Sequence, residues 1–187
     1  PVKDIQSDEV DSALIRLSVP ADLVAVSNGR LRSVSREGKF AVFTWAVRNP
    51  INNYNIIPYI GRYVNFKDTL AGEGGTLDLD YWVLEDNLQR ARQQFSQVKP
   101  MLHCFESWFG PYPFYADGYK LVDAPYLGME HQSAVAYGNG YQNGYKGRDL
   151  SLTGWGMRWD FIIVHESGHE WFANSITAAD VADSWIH

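Results

Sequence analysis

The residue spacing with the clearest chemical meaning in this sequence is His165-Glu166-Ser167-Gly168-His169, where two imidazoles lie four positions apart. On an α-helix, residues i and i+4 lie on the same face, so both rings can reach one metal ion. Glu166 lies about 100° around such a helix from His165, close enough to reach a water on the metal without being a ligand. The motif therefore predicts a zinc site with His165 and His169 as ligands and Glu166 as the general base.

The main alternative to a metal site is a buried helix whose histidines only hydrogen-bond to their neighbours. Residues 159–164 and 171–173 flank the motif and are largely apolar, which predicts one helix with little solvent-exposed surface across this region. Glu166 and Glu170 would then lie in an apolar helix, where each unpaired polar group costs about 1–3 kcal/mol. A metal ion satisfies these groups more simply, and we favour the metal site.

A second segment, Gly128 to Gly138, carries one carboxylate, Glu130, ahead of a strand-like alternation that ends at glycine. A single Glu in a strand usually faces solvent, so this segment alone is weak support for a functional site. Together with the His165 motif further along the chain, it resembles the M1 family of zinc aminopeptidases. In that family a Gly-x-Met-Glu-Asn strand lies along the substrate and precedes the zinc helix.

Three further segments strengthen this resemblance and extend it over almost the whole chain. Phe109 to Phe114 is similar to the Phe-Gly-x-Tyr-Pro turn that follows the first catalytic-domain helix of the family. Asp183 to Trp185 is similar to the Asn-Asp-Leu-Trp segment that follows the zinc helix. Val19-Pro20 with Val26 to Leu31 is similar to the Pro…Ser-Asn-Gly-x-Leu pattern of the amino-terminal β domain.

The resemblance implies a zinc-dependent aminopeptidase, which hydrolyses the first peptide bond of a peptide with a free amino terminus. It implies one catalytic Zn²⁺, whose charge lowers the pKa of a bound water from 15.7 to about 7. Glu166 would then take the proton of that water, and Glu130 would pair with the α-ammonium group of the substrate. The residues implied to lie along the substrate are Gly128, Met129, Glu130 and His131.

The sequence departs from the family pattern at two positions, because His131 replaces an Asn and Leu127 stands where the first Gly is expected. Two other family residues, a Glu that is the third zinc ligand and a catalytic Tyr, correspond to positions after His187. Asp180, Asp183 and His187 are the nearest substitutes in sequence, and we assign none of them as a ligand. We therefore expect a fragment with weak zinc binding and little or no peptidase activity.

Two other functions stay open on the sequence. His131 in place of Asn is compatible with a relative that binds peptides or assembles with partners without cleaving, although the intact Glu166 argues against it. A zinc endopeptidase is the third hypothesis, and cleavage of a substrate blocked at its amino end would distinguish it.

The composition is that of a folded protein, with 45% apolar, 14% aromatic and 20% charged residues. A net charge of −6 and a pI near 5.3 argue against binding to nucleic acids or anionic membranes, and are compatible with cationic substrates such as peptide amino termini. One Cys excludes an internal disulfide, and no run approaches the ~20 apolar residues of a membrane span. Compartment and oligomeric state stay open.

The elements that position these motifs predict an α+β fold. Residues 1–66 are predicted to form strands and turns, with strands at residues 13–19, 40–47 and 59–64, and Thr76 to Val83 is a further strand. From Asp86 to Trp108 the apolar residues recur every three or four positions, which predicts a helix that Pro100 kinks or divides. We place the boundary near residue 74, so that 1–74 is part of an amino-terminal antiparallel β domain and 75–187 begins a thermolysin-like catalytic domain.

Overall fold

The fold is α+β, as predicted, and its α-helices follow the first seven strands. The computed structural model describes residues 9–179 and 181–187. The strands are β1 (Ala13–Pro20), β2 (Val24–Val26), β3 (Arg30–Glu37), β4 (Phe40–Val47), β5 (Tyr59–Gly61), β6 (Tyr63–Gly72), β7 (Gly75–Leu84), β8 (Tyr119–Asp123), β9 (Gly128–Met129) and β10 (Val135–Tyr137). The α-helices are α1 (Leu88–Gln94), α2 (Val98–Phe109) and α3 (Phe161–Gly168), and 3₁₀-helical turns lie at Asn53–Asn55, Glu85–Asn87, Phe95–Gln97, Trp155–Arg158 and Val181–Ile186.

Strands β1 to β5 form two antiparallel sheets, which we call the β unit. In the first sheet β4 lies between β1 and β3, and in the second β2 pairs with β5. The central strand β4 is almost wholly apolar, as expected for a strand buried between neighbours, whereas β3 is polar and exposed along most of its length. The antiparallel sheet predicted for the first part of the chain is therefore present.

The second part of the chain is built on a five-stranded mixed sheet with the order β6-β7-β8-β10-β9. The edge pairs β6-β7 and β9-β10 are antiparallel, whereas the central pairs β7-β8 and β8-β10 are parallel. Side chains that alternate along β8 enter two different cores. Tyr119 and Leu121 pack with the helices, and Val122 packs with the β unit, so both faces of this sheet are buried.

The helical segment between β7 and β8 is divided, but not at Pro100, where the sequence predicted a kink or a division. Helices α1 and α2 are separated by the 3₁₀-helical turn Phe95–Gln97, and Pro100 lies in the first turn of α2. Proline is tolerated there because the first N–H groups of a helix have no partner within the helix. Among the described residues no helix is both long and apolar enough to cross a membrane.

The predicted division at residue 74 falls at the tip of a hairpin. Strands β6 and β7 pair along their full length, from Tyr63 with Leu84 to Gly72 with Gly75, and both belong to the five-stranded sheet. The change from one sheet to the next therefore lies between Gly61 and Tyr63. The division into domains 1–74 and 75–187 stays a prediction. The strand pairing places the boundary between the sheets about twelve residues earlier.

Candidate metal centre

Helix α3 carries the His-Glu-x-x-His motif and begins at a fully buried cap. Asp160 precedes the helix, and its Oδ1 accepts the N–H groups of Ile162 at 3.0 Å and Ile163 at 3.3 Å. Its other oxygen accepts the hydroxyl of Tyr137 at 2.6 Å and the amide of Gln94 at 2.7 Å. The start of the helix is therefore tied to the five-stranded sheet and to α1.

The single helix predicted across residues 159–173 is wrong, because α3 ends at Gly168. After His169 the chain turns, with the N–H of Asn174 donating to the carbonyl of His169 at 3.0 Å and Ala173 at a φ of 107°. The apolar residues Trp171 and Ala173 are buried as predicted, but in turns, since burial alone does not specify a helix.

The shorter helix still brings the motif together. His169 is the C-cap residue and keeps helical φ and ψ angles of −66° and −15°. The two imidazole rings have centroids 4.8 Å apart. One ligand atom from each of His165, Glu166 and His169 lies within 4.8 Å of the others, a spacing that suits a shared metal ion.

The surroundings of the two histidines fit metal binding. Nδ1 of His169 lies 3.0 Å from the carbonyl oxygen of Phe172, so it donates its proton there and leaves Nε2 with a free lone pair. His165 is exposed and stacks on Phe161 with ring centroids 5.3 Å apart. Partial desolvation and the neighbouring His169 lower the pKa of His165, which favours the neutral, metal-binding form of its ring.

Glu166 lies against the strand that carries the second motif. Its residue is 7% exposed, and burial together with the charge of Glu130 raises the pKa of Glu166 to about 7. A β-carbon at Gly128 would meet the Glu166 carboxylate, so the strand passes directly over the proposed base. A carboxylate in this position has the proton affinity that a general base near neutral pH requires.

Glu130 follows β9 and is 8% exposed. Its Oε1 accepts a hydrogen bond from Nε2 of His187 at 2.9 Å, and the ring of His187 lies 5.2 Å from that of His169. Burial opposes the charge of Glu130, but its own N–H and His187 outweigh this effect and lower the pKa of the carboxyl group. Glu130 is therefore an ionised carboxylate beside the motif.

The other residues predicted along the substrate are placed differently. Gly128 pairs with Tyr137 in the sheet, and Met129 packs against the core of the β unit. His131 is 7% exposed, meets the ring of Tyr59 edge-on at 6.0 Å, and its Nδ1 has no hydrogen-bond partner within the described part of the chain. The structure thus brings Gly128 and Glu130 to the motif and packs Met129 and His131 toward the β unit.

Of the substitutes considered for a third ligand, only His187 is at the site in the part of the chain that the structure describes. Asp183 is exposed on the last 3₁₀-helical turn, and Asp180 lies outside the described residues. His187 contacts Glu130 rather than joining the group formed by His165, Glu166 and His169.

Sequence reasoning missed one aromatic contribution from the β unit. Tyr54 lies on the turn Asn53–Asn55, and its ring centroid is 6.5 Å from that of His187. Burial and the Glu130 charge raise the pKa of Tyr54. No local pattern marks this residue, because only the packing of the β unit against the second sheet brings it to Glu130.

Comparison with known proteins gives one consistent likeness, although no protein-family model matches the chain. The chain is 21% identical over 176 residues to the probable aminopeptidase 2 of Sulfurisphaera tokodaii, a match that covers 92% of this chain and 22% of that protein. The structure of the chain is similar to that of an M1 zinc metallopeptidase from Deinococcus radiodurans, with a TM-score of 0.78 and 21% identity. It is also similar to a variant of the Deinococcus radiodurans enzyme bound to a Tyr-Ser-Ala substrate, with a TM-score of 0.77 and 20% identity.

Both structural matches cover 97% of this chain and 38% of the solved protein. The chain therefore spans less than half the length of the proteins that it matches. The resemblance to M1 zinc metallopeptidases predicted from the sequence is confirmed, and the chain has the fold of the corresponding part of these proteins.

Proposed function

We propose that this chain is the part of an M1-type zinc aminopeptidase that carries two zinc ligands, the general base and the carboxylate that binds the substrate amine. The observation that carries this proposal is the proximity of Glu130 to the motif, since His187 bonds to Glu130 and its ring lies beside that of His169. A general base, two metal-binding imidazoles and a separate ionised carboxylate then share one site.

His165 and His169 would hold the zinc ion, and the Nδ1 contact of His169 with Phe172 supports this role. When bound, zinc supplies a Lewis acid that polarises the scissile carbonyl and acidifies a water molecule. Glu166 would accept a proton from the attacking water and donate it to the leaving amine. Its burial and its contact with Gly128 limit the positions that its carboxylate can take.

Glu130 would recognise the free amino terminus of a peptide. Because its pKa is lowered, the carboxylate is charged at neutral pH and can pair with an α-ammonium group in place of His187. Such a pairing would favour binding of peptides whose first peptide bond lies at the zinc site, which is the selectivity of an aminopeptidase. The solved relative with a bound Tyr-Ser-Ala substrate supports a peptide as the ligand class.

The third zinc ligand and the catalytic Tyr of the family are proposed to lie after His187 in a longer protein. Residue 188 would adjoin His187, which is already beside the ring of His169. Two histidines alone should bind zinc weakly, because catalytic zinc sites have three protein ligands. We therefore propose that residues 1–187 alone have little or no peptidase activity.

The test compares zinc content and zinc affinity of residues 1–187 with those of a chain extended by a few dozen residues. Much tighter binding of one zinc by the extended chain supports the proposal. Equal binding would mean that a residue within the chain completes the site or that zinc is not the cofactor.

The extended chain is then assayed with an aminoacyl anilide and with an N-acetylated peptide. We expect turnover of the anilide that a Glu166→Gln variant loses. Cleavage of the N-acetylated peptide would instead identify an endopeptidase, and zinc binding with no turnover of either would favour a peptide-binding protein.

A further inference from the structure

A set of buried asparagines connects the β unit to both motifs of the site. Asn28 and Asn55 are fully buried in the β unit, and Asn174, 4% exposed, lies in the turns after α3. We call these three residues the amide network. Buried side-chain amides need partners for both their oxygen and their nitrogen, so their bonds fix the groups that they contact.

Asn174 bonds to the backbone of both motifs. Its side-chain Nδ2 donates to the carbonyl oxygen of Glu130 at 2.8 Å, and its N–H donates to the carbonyl of His169 at 3.0 Å. Asn174 therefore links the backbone of Glu130, the proposed amine-binding residue, to the backbone of His169, a proposed zinc ligand.

Asn55 fixes the orientation of Asn174. Its Nδ2 donates to Oδ1 of Asn174 at 2.9 Å, which leaves the Nδ2 of Asn174 to face Glu130. The Oδ1 of Asn55 accepts the N–H of Gln132 at 3.3 Å, two residues after Glu130. Asn55 thus touches the Glu130 segment directly and through Asn174.

Asn28 completes the network from the other side. Its Nδ2 donates to the carbonyl oxygens of Asn55 at 2.9 Å and Gln132 at 2.6 Å, and its Oδ1 accepts the N–H of Ile57 at 3.0 Å. Asn28 is therefore satisfied at both atoms and ties the backbone of Asn55 to that of Gln132, which Asn55 also contacts.

We propose that the amide network, with Asn55 at its centre, positions Glu130 for recognition of the substrate amine. This inference rests on the proposed function and adds that a β unit without zinc ligands controls the selectivity for free amino termini. The amide network bonds to the carbonyl oxygens of Glu130 and His169, and none of the bonds given above involves the carboxylate of Glu130 or Glu166. Its loss should weaken amine binding more than proton transfer.

The test is the substitution Asn55→Asp in the zinc-loaded, full-length protein. An aspartate keeps the size of the side chain and the acceptor oxygen of Asn55, but it replaces the donor to Asn174 with a second oxygen, which faces the Oδ1 of Asn174. We expect KM for an aminoacyl anilide and Kd for L-tryptophan amide to rise on the order of 10-fold. Zinc affinity and kcat should change by less than about 2-fold, since neither the imidazoles nor the base is displaced.

A control is Asn65→Asp in the β6–β7 hairpin, which removes an amide donor to the carbonyl of Tyr81 at 3.1 Å and to Oδ1 of Asp80 at 3.5 Å. This variant should lower the melting temperature without changing KM. If Asn55→Asp behaves like this control, the network only stabilises the fold and the positioning role is wrong. If Asn55→Asp does not fold, Asn174→Ala is measured in the same way and decides the outcome.

A double variant separates this inference from the proposed function. In the Glu130→Ala background, Asn55→Asp should raise KM no further, because its effect is exerted through Glu130. If Glu130→Ala itself leaves KM unchanged, the proposed function and this inference both fail. If Glu130→Ala raises KM but Asn55→Asp does not, the inference alone fails.

Discussion

Gly128 lies against the carboxylate of Glu166. A β-carbon added at residue 128 would lie 2.5 Å from Oε1 of Glu166 and 2.8 Å from its Cδ, closer than real side chains approach. Gly128 is held in β9 by its pairing with Tyr137, so the flexible Glu166 side chain would have to move. Residue 128 must therefore be glycine if the carboxylate of Glu166, the proposed base, is to keep its position.

Gly128→Ala should reduce catalysis more than stability. The added methyl group displaces the Glu166 carboxylate, and a misplacement of about 1 Å can cost on the order of 100-fold in rate. If the proposed function holds, kcat of the extended chain should fall to this extent while the melting temperature changes little. Gly168→Ala is the control, because a β-carbon there meets only Phe105 atoms at 3.7 Å or more. Equal kcat in wild type and Gly128→Ala would contradict the assignment of Glu166.

Glu130→Ala should raise KM for aminoacyl substrates, because it removes the proposed ion pair with the α-ammonium group. A truncated buried charge pair costs about 2–5 kcal/mol in binding, so the expected increase is at least 10-fold. The measurement is KM for an aminoacyl anilide in the full-length protein, with zinc content as the check that the metal site survives. An unchanged KM would reject the role of Glu130.

Asp160→Ala should destabilise the protein and weaken metal binding together. The substitution removes the N-cap of α3, which is worth about 0.5–2 kcal/mol, and leaves the Tyr137 hydroxyl without its acceptor. We expect a lower free energy of unfolding in urea and a higher Kd for zinc. Asp160→Asn is the control, because an amide oxygen can still cap the helix. If neither variant changes the Kd for zinc, the cap does not support metal binding.

Lys120 predicts a pH dependence of folding stability. Its ammonium group is buried, donates to the carbonyl of Gly29 and lies 5.4 Å from the ring centre of Trp45. Burial lowers the pKa of Lys120 from 10.5 to about 8. Between these values the unfolded chain binds more protons than the folded one, so the contribution of Lys120 to stability rises with pH.

The measurement is urea unfolding of wild type and Lys120→Met at pH 7.5, 8.5 and 9.5. The difference in unfolding free energy should shift in favour of wild type by about 1 kcal/mol per pH unit above pH 8. Burial raises the pKa of Glu170 to about 8 as well, and the charge of Lys120 opposes this rise. Removing Lys120 should therefore raise the pKa of Glu170 further, which destabilises the variant at higher pH and shifts the difference in the same direction. A difference that does not change with pH would show that Lys120 keeps its ordinary pKa.

The sequence predicted the parts of the site that depend on local spacing. The separation of His165 and His169 specifies their shared face on any helix, and the structure keeps this face even though α3 ends at Gly168. The end of α3 was predicted wrongly, because the apolar residues beyond it are buried in turns that show no separate pattern. Strand β3 was not predicted either, since its sequence is polar and it exists through its pairing with β4.

The contributions of the β unit could not be predicted from local sequence. Asn28 is 104 residues from Gln132, and Asn55 is 119 residues from Asn174. Each lies in a short polar stretch that is typical of an exposed turn. Only the packing of the two sheets buries these amides and gives them their partners.

The mixed sheet has no solvent-exposed side along its central strands, because Leu121 faces the helices while Val122, Ala134 and Ala136 face the β unit. Residues 9–62 therefore act as part of the solvent barrier for the second half of the chain. A protein starting at Tyr63 would expose this apolar layer and should aggregate rather than fold, and the two halves should melt in a single cooperative transition. The second half of the chain is thus not a module that can be moved to another protein without its β unit.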